Sequence, residues 1–79
     1  MIGNKIKALL NITNKSTNEL CEKLNILNVA FYRKIKNNTF KAEELILTAE
    51  LTNTKLAFID EKGNVLIKFD KEDLKKDAQ

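Results

Sequence analysis

Between Asn28 and Lys36 the chain carries a carboxamide, a branched alkyl group, a phenol, a guanidinium and an ammonium, on Asn28, Val29, Tyr32, Arg33 and Lys36. On a helix with about 100° between residues, Val29, Tyr32, Arg33 and Lys36 cluster on one side, and Phe31 and Ile35 share the other. The chemistry open to the first side is hydrogen-bond reading. A guanidinium donates to both O6 and N7 of guanine, a carboxamide pairs with N6 and N7 of adenine, and a branched alkyl group packs on a thymine methyl. Tyr32 suits a base or a phosphate. The plainer alternative is a solvated helix face, with Val29 and Tyr32 packed on a neighbouring segment.

Bond-making chemistry has less to work with. The 79 residues include no histidine and one cysteine, Cys21, which removes the His-paired nucleophile, the imidazole acid/base and the Cys/His zinc cluster. Glu43 and Glu44 fall where a helix would begin, and carboxylates there are explained by the positive end of the helix dipole. No Asp/Glu set has the spacing of a cation loop. The expectation is therefore a non-enzyme with no cofactor, no metal and no small-molecule substrate. Cys21 falls in a small-residue position of a candidate helix pair, so it is expected in the core, and a lone thiol points to a reducing, cytoplasmic setting.

Charge is uneven along the chain. Residues 1–41 hold eight basic and two acidic groups, a net +6, whereas residues 42–79 hold six basic and nine acidic groups, a net −3. A basic half beside a differently employed second half is what a nucleic-acid face produces. No apolar run approaches the length of a membrane span, and Asn4, Lys5, Lys7 and Asn11 interrupt the first twelve residues, unlike a signal peptide.

The elements that must position these groups follow from periodicity. Ile2, Ile6, Leu9, Leu10 and Thr13 recur at helical spacing, so a first helix is expected over about residues 2–13. Ser16 to Glu19 has capping-box spacing and opens a second helix that buries Leu20, Cys21 and Leu24 and stops at Asn25, a residue tolerant of the left-handed conformation. Ile26 and Leu27 form a tight turn, with Leu27 expected to pack into it, and Asn28 is a good N-cap for a third helix ending near Asn37-Asn38. Thr39 can cap a fourth helix carrying Ala42, Leu45, Ile46 and Ala49.

After Thr54 the period changes to two. Lys55–Asp60 and Val65–Phe69 read as the strands of a β-hairpin turning at Gly63. Its apolar residues exceed what one face can hold. Residues 70–79 alternate charges around Leu74 and are expected to fray. The fold class is thus mainly α: four helices over 1–54, then a hairpin over 55–69 in the same domain.

Two short helices across a tight turn, flanked by further helices, form a helix-turn-helix arrangement. Thr17 to Lys36, with Leu20-Cys21, Leu24-Asn25-Ile26 and Phe31 at the required offsets and Arg33-Lys34-Ile35 closing the third helix, resembles the Cro/repressor (Xre-type) family. The resemblance reaches across helix one, Ala42-Glu43-Glu44-Leu45 and the Leu56–Asp60 hairpin segment, about 65 of the 79 residues. It implies a small phage or mobile-element regulator that binds double-stranded DNA as a repressor. Two positions depart from the family: Asn25 replaces the usual glycine, and Leu27 replaces the usual Ser or Thr cap, which leaves Asn28 either to cap the helix or to read a base.

By that resemblance Asn28, Val29, Tyr32 and Arg33 contact bases, and Lys15, Thr17, Lys36, Asn38 and Lys41 hold phosphates. An isolated hairpin is marginal in water, so Leu56, Phe58, Val65, Ile67 and Phe69 are expected at a homodimer interface. Other uses of the same fold are a protein-binding regulator, such as an antirepressor, and an architectural DNA binder without sequence preference.

Overall fold

The computed structural model describes residues 1–75: α1 (Ile2–Ile12), α2 (Thr17–Leu24), α3 (Asn28–Asn37), α4 (Ala42–Leu51), β1 (Leu56–Ile59), β2 (Val65–Phe69) and a 3-10 turn at Lys71–Leu74. Four helices followed by a two-stranded antiparallel hairpin match the architecture expected from periodicity.

The core gathers one or two residues from each of the first three helices. Ile6, Leu10, Leu20, Cys21 and Phe31 form its buried centre, and Ile2, Leu24, Ile26, Ile35, Phe40, Leu45 and Leu51 pack around it. Phe31 and Leu20 are fully buried. The Phe40 ring meets Phe31 edge-on, with centroids 5.9 Å apart, which draws the α3–α4 connection over the core. Gly3 sets the approach of α1 to α3: a Cβ there would lie 2.9 Å from both Cγ1 and Cγ2 of Ile35.

All four helices end by one device. Asn14, Asn25, Asn38 and Asn53 adopt positive φ between 56° and 59°. In each case the next amide bonds the carbonyl five residues back: Lys15 to Leu10 at 2.8 Å, Ile26 to Cys21 at 3.0 Å, Thr39 to Lys34 at 3.1 Å and Thr54 to Ala49 at 2.9 Å. These are Schellman closures built on asparagine, whose short polar side chain tolerates the left-handed region better than most residues with a Cβ. At α1 and α4 a threonine precedes the asparagine, and its hydroxyl donates to the carbonyl four residues back, Thr13 to Leu9 at 2.8 Å and Thr52 to Thr48 at 2.9 Å.

Two helix starts differ from expectation. The N-cap of α3 is Leu27, not Asn28, and makes no side-chain cap bond. The Ile26 amide is committed to closing α2, so the chain turns extended at Leu27 and its carbonyl takes the first α3 bond, from the Phe31 amide at 3.0 Å. The N-cap of α4 is Lys41, not Thr39, because the Thr39 amide closes α3 and Phe40 must first reach the core. Glu44 Oε1 accepts from the Lys41 amide at 2.8 Å, and its Oε2 lies 3.0 Å from Lys34 Nζ, an ion pair joining α3 to α4. At α2 the expected cap is present: Ser16 Oγ accepts from the Glu19 amide at 3.0 Å.

The hairpin pairs Leu56 with Phe69, Ala57 with Lys68, Phe58 with Ile67 and Ile59 with Val65, with a bulge after Phe58. Asp60 organises its turn, accepting from the Lys62 and Asn64 amides, both at 2.9 Å, and from Asn64 Nδ2 at 3.2 Å. The segment expected to fray begins instead with a folded turn: Asp70 Oδ1 accepts from the Glu72 amide at 2.9 Å, and Lys71–Leu74 lies against α4 with Leu74 half-buried. Residues 76–79 of that segment lie outside the described residues.

Candidate nucleic-acid interface

The left-handed Asn25 leaves a three-residue turn, Asn25 to Leu27, between α2 and α3. Burial of Phe31 fixes the rotation of α3, so its opposite side faces out. Asn28, Val29, Tyr32, Arg33 and Lys36 are all exposed, Val29 at 66% and Tyr32 at 52%. Val29 is thus largely open to solvent, whereas Tyr32 is about half covered by its neighbours.

Asn28, in the first turn of α3, does not cap the helix. Its Nδ2 donates to Asn18 Oδ1 on α2 at 3.2 Å, which orients the carboxamide of this exposed residue and leaves its Oδ1 and a second N–H to spare. Tyr32 is positioned by Phe31, edge-on at 5.7 Å, and by Lys7, whose Nζ lies 5.6 Å from the phenol ring centroid. Lys7 therefore joins this face from α1. Nothing in the order of residues could have shown it, since only the docking of α1 on α3 brings the two together.

Of the other anticipated residues, Thr17 opens α2 and is half-buried, as is Lys15, and Lys41 is exposed at the start of α4. Asn38 has structural work: its amide closes α3 and its Oδ1 accepts from the Ile2 amide at 3.0 Å, tying the start of α1 to the end of α3. Lys34 faces Glu44 rather than solvent, so the cations presented by α3 are Arg33 and Lys36.

Leu27 departs most from expectation. It is 78% exposed, because Ile26 fills the turn and packs on the core in its place. Beside it lies an open hollow of about 560 Å3 lined by Asn18, Cys21, Glu22, Asn25, Ile26, Leu27 and Asn28. Its polar lining is carboxamide and carboxylate, with no cation. Cys21 is buried, as expected, and burial pushes its thiol above the usual value, so it stays protonated and unreactive near neutral pH.

The hairpin supplies a second exposed surface. Phe58, Val65 and Ile67 are exposed, and so are Ile59 and Leu66, hairpin residues that the interface expectation left out. Leu56 and Phe69 stand at the base of the hairpin, where both are half-buried, so they anchor it rather than face outward. The Phe69 ring meets Phe58 edge-on at 5.7 Å.

Among the described residues no helix is long and apolar enough to cross a membrane. Compared with family models, with curated proteins and with solved structures, the chain has no significant match.

Proposed function

We propose that this chain is a sequence-reading, double-stranded DNA-binding regulator of the Cro/repressor helix-turn-helix type, acting as a homodimer that occludes a promoter. The observation that carries the reading is the outward side of α3: Asn28, Val29, Tyr32, Arg33 and Lys36 stand exposed behind a short turn, on a helix whose opposite side is locked by Phe31. A B-DNA major groove admits one such helix, and the residue types match base edges.

In this mechanism Arg33 donates to a guanine, Asn28 pairs with an adenine and Lys15, Lys36 and Lys41 neutralise phosphates. Thr17 adds a hydroxyl donor at the start of α2. Exposed Phe58, Ile59, Val65, Leu66 and Ile67 support a second copy as the cover of the hairpin, since apolar surface so concentrated is uncommon on a monomer. A two-fold then sets two α3 helices about 34 Å apart, one turn of DNA.

Selection from a random duplex library at near-physiological salt tests the reading. Enrichment of a pseudo-palindrome with half-site centres about ten base pairs apart is the expected result. Recovery of no sequence, with weak salt-sensitive binding, supports an architectural binder instead. One observation favours a protein partner, the apolar Leu27 and Val29 beside Tyr32, and that reading predicts binding that survives added salt.

A further inference from the structure

We propose that the hollow between α1, α4 and the root of the hairpin is a ligand site that takes a small monocarboxylate with an apolar body about the size of a benzene ring. This goes beyond the DNA-binding reading and stands independently of it. Ile2, Ile6 and Leu9 of α1, Leu45 and Ala49 of α4 and Leu56 of β1 form the apolar wall of the hollow, which measures about 160 Å3. That is room for one ring, since an apolar cavity of about 150 Å3 holds benzene.

The polar part of the lining sets the charge. Lys5 on α1 and Lys55 directly before β1 both line the hollow, both are exposed, and among the described residues neither is in an ion pair. A lysine lays its alkyl stem along apolar surface and keeps its ammonium in water, so the pair adds alkyl to the wall and positive charge to the mouth. No carboxylate lines the hollow to neutralise them. Its two hydroxyls are already engaged: Thr48 Oγ1 donates to the Glu44 carbonyl at 2.8 Å, and Thr54 Oγ1 lies 2.8 Å from Thr52 Oγ1. Apolar wall and two cations are left to be met, and one carboxylate on an apolar body meets both. The hollow beside Leu27 has the opposite character, with Glu22 and carboxamides in its lining. A molecule seated between the helices and Leu56 ties the hairpin root to α1 and α4, and so stabilises the fold by binding it.

The test is a titration of the full chain with sodium benzoate at constant sodium concentration, followed by amide resonances. Saturable shifts at Leu9, Ala49 and Leu56, with millimolar affinity and a raised Tm, are the expected result for a ligand of about nine heavy atoms. Benzyl alcohol keeps the ring and lacks the charge, so it should bind about four- to twentyfold more weakly, and Lys5→Gln or Lys55→Gln should each cost benzoate about two- to fivefold. Both lysines are exposed, so these variants should keep the fold, which circular dichroism checks. Reversing both charges, Lys5→Glu with Lys55→Glu, should transfer the preference from benzoate to benzylamine. Shifts that do not saturate, shifts centred on α3 or the hairpin tip, equal binding of benzoate and benzyl alcohol, or lysine variants that bind benzoate as wild type does would each overturn the proposal, and none of them touches the DNA-binding reading.

Discussion

Asn28 Nδ2 donates to Asn18 Oδ1 at 3.2 Å, so a side chain of α2 aims the first side chain of α3. The remaining Oδ1 and N–H of Asn28 are the acceptor and donor that adenine requires. Replacing Asn18 with Ala releases that carboxamide. Affinity for a selected duplex should fall about two- to tenfold, with random duplex unaffected, as read by fluorescence anisotropy. Equal loss on both would make the pair a stabilising contact only.

Arg33 and Lys36 share a helix face but should fail differently. Arg33→Ala should cost about 1–3 kcal/mol on the selected duplex and broaden one operator position, whereas Lys36→Ala should weaken all duplexes alike and make the salt slope shallower by about one. Parallel titrations of selected and random duplex separate the two. A uniform loss for Arg33→Ala contradicts base reading.

The asparagine closures predict a stability pattern. Asn25→Ala should lose about 1–2 kcal/mol, because alanine keeps the Cβ that crowds the following carbonyl in the left-handed region and lacks the short polar side chain that offsets it, and Asn25→Gly, with no Cβ, should retain or raise stability. Urea denaturation of both variants checks this. Equal losses would place the effect of Asn25 in its side-chain contacts.

Much of this architecture could be read from residue order because it is local. The periods of α1 to α4, the Ser16 cap, the left-handed Asn25 and the hairpin turn at Gly63 depend on neighbours within a few residues. What escaped depends on tertiary contact. Phe40 must reach Phe31 before α4 can begin, which moves its start to Lys41. Ile26 wins the turn from Leu27 because it meets the core. The Lys7–Tyr32 and Lys34–Glu44 contacts and the Gly3–Ile35 approach join segments far apart in sequence. Lys71–Leu74 has little apolar content, yet it is held by the Asp70 cap and by α4.

The proposed dimer makes the hairpin sensitive to charge. Ile67→Lys or Phe58→Lys places an ammonium on a residue that is exposed in the single chain, so the fold should hold while the dimer separates. Sedimentation equilibrium should then give a mass near the 9.0 kDa of one chain, against twice that for wild type. A wild-type monomer, or a variant that stays dimeric, contradicts this role for the hairpin.

Asp60 gives the hairpin turn a pH dependence. Hydrogen bonds from Asn64, followed by those from Lys62 and Gly63, outweigh desolvation and hold its carboxyl below the ordinary value. A carboxylate whose folded pKa is depressed contributes stability that is present above its unfolded pKa, about 3.9, and lost as pH falls through the folded value. The Lys62 and Asn64 amide resonances should therefore titrate together below about pH 3.9, and Asp60→Ala should abolish that shared titration. An inflection above the ordinary carboxylate value contradicts the assignment.

The most direct measurement is affinity for the selected duplex across a salt series. In the proposed mode Lys15, Lys36 and Lys41 would supply three phosphate contacts in each protomer, so a dimer should lose affinity with a slope of roughly −5 in log Kobs against log salt. A slope near that value, with the selected sequence preferred over random DNA throughout, is the predicted result. Salt-independent binding, or no preference for any sequence, contradicts a DNA-reading function for α3.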